Sequence, residues 1–407
     1  MIDSAGRPAT LSEPRLRVLD LLRFGAALAV VLFHLVETSA WGTRFAFPAL
    51  SGVTMFGVYG VRLFFVISGF VILMSAWGHS PGRFVISRIA RLYPAYWASV
   101  ILLGGLAVAG FITDHRPSLT ELLANLTMMQ HGLRIRDLEI VYWTLWHELV
   151  FYVLIACFAA IGITYRRCLA FLGGWVFLLV VAERADVDVL QAVLLPFSAP
   201  FFIAGMALYL VHRFGGSFFP WLFVAVGWVL GVIGALDGEP RVIERYGEPL
   251  GTALIVGVIT LIFVVMGLVA LGVFDGVDWR WLTALGVLTY PLYLFHHHIG
   301  YLVIQWLHGP LGHRLTLPVA VLVTLAVAYA VNRLIEAPFG PRLRRALTRS
   351  LRAGDPDGAG AGDGRWGIGR AALPGMAAEP VPLPEPIREP GTAARPSAAS
   401  PPAGATP

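Results

Sequence analysis

Lysine is absent from this 407-residue sequence, and cysteine and charged residues are scarce. Charged residues make up only 14% of the chain, against about a quarter in soluble domains. The two cysteines, Cys157 and Cys168, are too few for a disulfide framework, and we interpret them as packing residues. The net charge of +5 comes from arginines spread over several loops, which argues against nucleic acid as a partner.

Hydrophobic residues fill 57% of the chain and gather in runs of about the 20 residues that an α-helix needs to cross a bilayer. These runs predict an all-α, polytopic membrane protein with about ten transmembrane helices in a lipid bilayer. They are residues 19–36, 56–76, 96–112, 143–162, 168–182, 190–211, 220–236, 252–273, 282–303 and 315–331. The first run also resembles a signal peptide, but cleavage there would remove its polar residues, so we interpret it as a span.

Arginines are distributed unevenly between the two sets of segments that connect the runs. An inside N-terminus places fifteen arginines on the cytoplasmic side and eight outside, which predicts that both termini are cytoplasmic. The alanine- and arginine-rich composition favours a bacterial source and therefore the bacterial inner membrane. We predict a short N-terminus over 1–14, a ten-span domain over 15–345 and a disordered Pro/Ala/Gly-rich tail over 346–407.

One segment between the third and fourth runs, SLTELLANLTMMQ, carries leucines at helical spacing from Leu119 to Leu126. This pattern predicts an amphipathic helix. The helix lies either on the outer membrane interface or against the bundle, and the sequence leaves both open.

Arg23 and His34 are separated by ten small or apolar residues in the segment RFGAALAVVLFH. Eleven residues are about three turns of an α-helix, so both side chains share one face of the first span. A permanent cation and a titratable imidazole in so apolar a segment favour a functional site. Two structural interpretations stay open: Arg23 extends to the inner headgroups, and His34 is a hydrogen-bonded packing residue.

Ionisable residues from four predicted spans fall at about the same depth, roughly 21 to 22 Å from the inner face. They are His34, Arg62, Glu148 and His296. A charge in hydrocarbon costs at least ~2.5 kcal/mol unless it faces protein or water. We therefore predict a polar cavity that opens to the cytoplasm near Arg23 and holds this cluster in its outer half. The alternative is that Arg62 and Glu148 form only a buried ion pair.

The run His296, His297, His298 has the residue type of a metal site. Consecutive helical residues diverge by about 100°, so we expect that the three imidazoles do not converge on one ion. We therefore predict no metal, and we expect one of the three histidines to face the cavity.

Six segments follow one another between residue 15 and about residue 345. They are RFGAALAVVLFH, GVYGVRLFFVISGFVI, RIARLYPAYW, WTLWHELVFY, LTYPLYLFH and IEAPF. Together and in this order they resemble the integral-membrane acyltransferase 3 family, whose hallmark is an arginine and a histidine separated by ten residues.

The resemblance implies a ten-span enzyme that transfers an acyl group, usually acetyl, from cytoplasmic acyl-CoA to a hydroxyl group. The acceptor would be a carbohydrate, a glycolipid or a natural product. By position, His34 matches the essential histidine, Arg23 its partner and Glu148 the glutamate of the WTLxxExxFY segment. Arg88 and Arg91 match the RxxR motif, which we place at the cytoplasmic end of the second span.

Residues of two kinds complete the expected site. Arg88 and Arg91 suit the phosphates of CoA, because guanidinium groups pair bidentately with phosphate oxygens. Positive-inside bias alone would also explain them. We further assign Arg62, Trp143 and His296 to substrate binding. The expected donor substrate is acyl-CoA, most simply acetyl-CoA, with no metal.

His34 suits hydroxyl acylation because a neutral imidazole accepts a proton near neutral pH. It is predicted either to deprotonate the acceptor directly or to attack first and carry the acyl group as an acyl-imidazole. Glu37 or Glu148 would hold the ring in the required tautomer. We interpret Ser68 in VISGF as a packing residue beside its neighbouring glycine, because it lies nearer the inner face.

A transporter or flippase is the rival interpretation, in which the polar cavity moves a substrate without making a bond. Transporters often contain inverted repeats and broken spans. The sequence shows no convincing example of either, which argues against this interpretation.

Overall fold

The computed structural model describes residues 16–36, 47–112, 115–185, 188–238 and 251–353. Within these ranges the chain is helical and contains no β-strand, so the predicted all-α fold is confirmed. The N-terminal segment 1–14 and the predicted tail from residue 354 onward lie outside the described residues. Residues 346–353, which we assigned to the tail, instead form the end of the last helix, since ALTRSLRA is rich in helix-forming residues.

The α-helices are numbered in chain order. They are α1 (Arg17–Val36), α2 (Pro48–Thr54), α3 (Gly60–Ala76), α4 (Pro81–Val108), α5 (Leu119–Leu126), α6 (Trp143–Ile161), α7 (Tyr165–Ala185), α8 (Asp188–Leu194), α9 (Ala199–Phe214), α10 (Phe218–Asp237), α11 (Thr252–Ala270), α12 (Leu282–Val331) and α13 (Ala337–Ala353). Short 3₁₀ turns at Met55–Tyr59 and Ile140–Tyr142 precede α3 and α6, and a π-helical turn at Asn332–Glu336 precedes α13.

Among the described residues, nine helical segments are long and apolar enough to cross a membrane. They match nine of the ten predicted runs. The remaining run, 282–303, is also helical and forms the first part of α12. It is not among the nine, because its three histidines make it less apolar than the others.

α4 begins fifteen residues before the predicted edge of its span. Ser80 caps the helix by accepting a hydrogen bond from the backbone N–H of Arg83, and Pro81 occupies its first turn. Hydropathy shows where a helix is apolar but not where it starts, so the predicted span missed this polar part. As a result, Arg88 and Arg91 lie on α4 itself and not at the end of the preceding span, where we placed them.

α9 is the central helix of the bundle, and every residue from Ala199 to Val211 is buried. It packs along α3 on one side and α10 on the other. Two glycines make the contact with α3 close. A Cβ atom on Gly205 would lie 2.1 Å from the carbonyl oxygen of Val66, and one on Gly69 would lie 2.3 Å from that of Phe202. Small residues at such crossings let helices in a membrane gain van der Waals contact.

α1 packs along α12. Ala27, Val31 and Leu35 of α1 share a buried cluster with α12 residues from both predicted spans of that helix, Leu292 and Ala320 among them. The two spans are separated by Gly312, whose φ of 66° and ψ of 174° break the helix. Only glycine adopts this conformation readily. α1 therefore lies against both parts of α12.

α5 is the amphipathic helix that the sequence predicted. A capping box between Ser118 and Glu121 starts it, and the Ser118 backbone N–H holds the pKa of the Glu121 carboxyl below its usual range. Leu119 and Leu123 are exposed, while Tyr96 of α4 donates a hydrogen bond to the carbonyl of Asn125. The helix is thus held on the bundle by one side and keeps an apolar outer side.

The close contact between α3 and α9 predicts that adding one methyl group at Gly205 destabilises the protein. Gly205→Ala should lower the thermal unfolding temperature in detergent, because its Cβ would overlap the Val66 carbonyl. Overpacking of this kind lowers the free energy of unfolding by about 1–3 kcal/mol. The matched control is Gly257→Ala in α11, where no atom lies within 4 Å of the new Cβ. Equal unfolding temperatures for the two variants would contradict this packing.

Candidate active site

A cavity lies between α1, α3, α4, α6 and α12. It contains about 950 Å³ of space free of protein atoms, part of it open to solvent. Its polar lining residues are Arg23, Ser68, Arg88, Arg91, Thr144, Glu148, Tyr152, Thr289, Tyr290 and Tyr293. Four of the predicted site residues, from three helices, therefore share one cavity.

The cavity has an excess of positive charge. Arg23, Arg88 and Arg91 contribute three guanidinium groups, and Glu148 contributes the carboxylate among its lining residues. The hydroxyl of Tyr152, one turn along α6, donates a short hydrogen bond to Glu148 Oε1. Such a surface attracts anions.

Ser68 also lines this cavity. Its neighbour Gly69 makes the close contact with α9, as the packing interpretation required. The two residues point to different sides of α3, because neighbours on a helix diverge by about 100°. The packing role therefore belongs to Gly69, and Ser68 faces the polar space.

His34 and His296 form a hydrogen-bonded pair. The distance between His34 Nδ1 and His296 Nε2 is 2.9 Å. The other ring nitrogen of His296, Nδ1, lies 2.9 Å from the carbonyl oxygen of Tyr293, which accepts hydrogen bonds only. His296 therefore donates from Nδ1 and, when neutral, accepts at Nε2. It follows that His34 donates from Nδ1 and, when its ring is neutral, carries the lone pair on Nε2.

Among the described residues, the hydrogen-bonding partner of His34 Nδ1 is thus a histidine, and Glu148, one of the two glutamates considered from the sequence, does not fill that place. Glu37 lies outside the described residues. Glu148 is bonded by Tyr152 in the cavity. His296, which we assigned to substrate binding, is buried and hydrogen-bonds to His34. An imidazole with one nitrogen fixed by a neighbour and the other unprotonated is suited to act as a base or a nucleophile.

Tyr293 joins the cavity to the histidine pair. Its ring lines the cavity, its hydroxyl shares a 2.9 Å hydrogen bond with Thr144, and its ring centroid lies 5.8 Å from that of His296. The ring of Phe64 packs edge-on against it at 5.7 Å. His34 itself is half-buried and is not part of the cavity lining. A group that enters the cavity therefore meets Thr144, Tyr293 and Phe64 next to the histidines.

The three consecutive histidines separate in part: His296 bonds to His34, while His297 and His298 meet at one carboxylate. His297 Nδ1 lies 2.8 Å from Glu139 Oε1, and His298 Nδ1 lies 2.5 Å from Glu139 Oε2. The two rings leave the helix in different directions, but a carboxylate offers two separate oxygens and each imidazole reaches one. Among the residues that the structure describes, Glu139, His297 and His298 form the group that could hold a metal ion, because their donor atoms lie within 4.8 Å of one another.

Glu139 was missed by the sequence reasoning. It stands between Leu138 and the run Ile140–Tyr142, just before the span that contains Glu148, and its side chain is fully buried. An acidic residue flanked by apolar residues on both sides was the available signal. Its histidine partners lie about 160 positions away, beyond the reach of helical periodicity.

Arg62 and Trp143 lie apart from the cavity lining, around the ring of Phe197. The guanidinium carbon of Arg62 is 4.4 Å from the ring centroid of Tyr59 and 5.2 Å from that of Phe197. Trp143 packs edge-on against Phe197 at 5.3 Å. Among the described residues Arg62 forms no ion pair with Glu148, so the ion-pair alternative is wrong. Arg62 and Glu148 were predicted at the same depth in the membrane, but their side chains do not face the same cavity.

Comparison with known proteins identifies the family of the chain. Residues 16–333, more than half of the chain, match the family model described as an acyltransferase domain. The exopolysaccharide production protein ExoZ of Rhizobium meliloti (strain 1021) is 29% identical over 321 residues, which cover 73% of this chain and 93% of that protein. No solved structure is significantly similar to the chain. The chain therefore belongs to the acyltransferase 3 family, and it is a multi-pass membrane acyltransferase.

Proposed function

We propose that this acyltransferase moves an acyl group, in the simplest case acetyl, from cytoplasmic acyl-CoA to a hydroxyl of a carbohydrate-containing acceptor. The observation that carries the proposal is the half-buried His34, whose neutral ring carries its lone pair on Nε2 because Nδ1 bonds to His296, and which stands beside an arginine-lined cavity. The name of the Rhizobium meliloti relative supports an exopolysaccharide as acceptor. Its similarity extends over nearly the whole of that protein.

The arginine-rich cavity is the proposed donor site. CoA carries several phosphate groups, and Arg23, Arg88 and Arg91 supply guanidinium forks that fit phosphate oxygens. The acyl-pantetheine arm would extend inward between α3 and α12, toward Tyr293. With both termini inside, as the arginine distribution predicts, the mouth of the cavity faces the cytoplasm, where acyl-CoA is present.

The proposed chemistry requires one proton acceptor. His34 Nε2 takes the proton of the acceptor hydroxyl while the oxygen attacks the thioester carbonyl. The tetrahedral intermediate then expels the CoA thiolate, which receives the proton from His34, so that ester and free CoA thiol are the products. In the relay alternative, His34 Nε2 attacks the thioester first, expels the CoA thiolate and forms an acyl-imidazole. The acceptor hydroxyl then attacks this acyl group, the bond to Nε2 breaks, and the hydroxyl proton passes to the thiolate, so that the products are the same. Both routes use the same lone pair and the same bond to His296.

His34 substitution tests the function. Free thiol from acetyl-CoA, measured with purified protein and a polysaccharide acceptor, should fall about 100-fold or more in His34→Ala, the usual scale of a lost general base. His34→Gln should fall equally, because an amide cannot take a proton at neutral pH. Wild-type activity should rise from pH 5 to pH 8, since only neutral imidazole reacts.

The matched control is His79→Gln, which changes an exposed histidine in the turn between α3 and α4. It should keep full activity. Full activity of His34→Gln would reduce His34 to a hydrogen-bonding residue. A wild-type protein that releases no thiol with any acyl-CoA would contradict the proposed donor.

Substitution of the cavity arginines tests the donor site. Arg88→Ala and Arg91→Ala should each raise KM for acyl-CoA about tenfold, because each removes a charge-assisted contact made in both ground and transition states. The kcat should change less. Arg83→Ala, an exposed arginine on α4 outside the cavity lining, is the control and should leave KM unchanged. A large loss of kcat at constant KM would instead place these arginines at the chemical step.

The orienting role of His296 has a separate test. His296→Phe removes the acceptor for His34 Nδ1 and should lower kcat by about tenfold or more at constant KM, because the reactive tautomer is no longer favoured. His296→Gln keeps a carbonyl oxygen near that position and should retain more activity. Equal kcat for the two variants would show that the ring fills space and does not orient His34.

A further inference from the structure

Glu139, His297 and His298 form a buried cluster outside the cavity lining. Glu139 is 0% exposed, and the two histidines are 4% and 5% exposed. The Glu139 carboxylate contacts both imidazoles and also accepts backbone N–H bonds from Ile140 at 2.9 Å and His298 at 3.3 Å. A carboxylate removed from water and surrounded by donors in this way is held as an anion.

His297 connects this cluster to His34. Its ring lies edge-on to the ring of His34, with centroids 5.3 Å apart and an interplanar angle of 73°. The same ring has its Nδ1 2.8 Å from Glu139. The Glu139 carboxylate is thus separated from His34 by the width of one imidazole. Glu148, by contrast, faces three arginines and is bonded by Tyr152.

The Glu139 carboxylate contacts the two imidazoles in different ways: His298 Nδ1 hydrogen-bonds to Oε2, and His297 Nδ1 approaches Oε1 as an ion-pair contact. Zinc bound to histidine and carboxylate has metal–ligand distances of about 2.0–2.1 Å, which separates neighbouring ligand atoms by roughly 2.9–3.4 Å. The two nitrogen–oxygen distances here are 2.8 and 2.5 Å. Both separations are shorter than the spacing expected between two ligands of one zinc ion.

We infer that Glu139 is a positioning residue for His34 and acts through His297. Its negative charge stabilises the positive charge that His34 gains when its Nε2 takes a proton or attacks a carbonyl, and its contact with His297 fixes the ring that packs on His34. The inference rests on the proposed function for its catalytic consequence. Its effect on the reactivity of His34 exists without any substrate.

Diethyl pyrocarbonate provides the direct test, because it reacts with a neutral imidazole nitrogen and develops the same positive charge on the ring. The carbethoxylation rate of His34 is measured by peptide mass spectrometry on the intact protein in detergent, with exposed His79 as internal reference. In Glu139→Gln the rate at His34 should fall at least about fivefold, the scale of a nearby charge in a protein interior, while His79 keeps its rate.

Two further variants sharpen the test. His297→Gln keeps a donor for Glu139 but removes the ring beside His34, and it should slow His34 in the same direction. Glu121→Gln is the matched control, because Glu121 also contacts a histidine, His115 at 3.0 Å, but lies on α5. His34 should react at the wild-type rate in this control. With acyl-CoA, Glu139→Gln should lower kcat about tenfold at constant KM, the split expected of a group that acts in the transition state.

Unchanged carbethoxylation of His34 in folded Glu139→Gln and His297→Gln protein would overturn the inference. So would a stoichiometric metal ion in the purified wild-type protein that is lost in Glu139→Gln. Failure of both variants to fold, judged by size-exclusion chromatography, would assign the cluster to stability alone and would also overturn it. A wild-type protein without acyl-CoA activity would contradict the proposed function only, because the carbethoxylation rates are measured without substrate.

Discussion

The hydrogen bond between His34 and His296 is the contact on which the geometry of the site depends. α1 and α12 also meet through apolar side chains such as Val31 and Leu292, and apolar contacts alone permit several rotations of one helix against the other. A hydrogen-bonded polar pair in an apolar interface permits one such rotation, because the two side chains must stay within bonding distance. Since Arg23 lies about three turns from His34 on the same face of α1, the rotation that satisfies the histidines also directs the guanidinium into the cavity.

Close glycine contacts hold the opposite wall of the cavity. α3 lies between α1 and α9, and a Cβ on Gly57, in the turn before α3, or on Gly205 of α9 would lie 2.1 Å from a carbonyl oxygen of the neighbouring helix. Little hydrophobic force drives helices together inside a bilayer, so this contact area supplies the attraction. It also fixes the height of Phe64 beside Tyr293, where the cavity meets the histidines.

The sequence was sufficient for whatever depends on one helix at a time. Helical periodicity placed Arg23 and His34 on one face, and the family motifs brought Arg88, Arg91 and Glu148 together as the structure does. Contacts between helices were not accessible in this way. Depth along the membrane normal placed Arg62 level with His34, but the rotation of α3 turns it toward Tyr59 and Phe197. The histidine partners of Glu139 depend on how α12 packs against the segment before α6. Local sequence patterns do not predict this packing.

The arginine-lined cavity is positively charged, whereas the region around His34 contains the buried Glu139 carboxylate. This difference in sign has a physical reason. Three arginines suit the binding of a polyanionic donor, but their field would oppose a positive charge on His34 during the reaction. His34 lies outside that lining and is in contact with His296 and His297, the second of which touches a buried carboxylate. Tyr293 and Thr144 close the region between the two with a neutral hydrogen bond. Under the proposed function, separating the anion-binding surface from the proton-accepting one lets a single small bundle bind CoA and still leave an imidazole that can become charged.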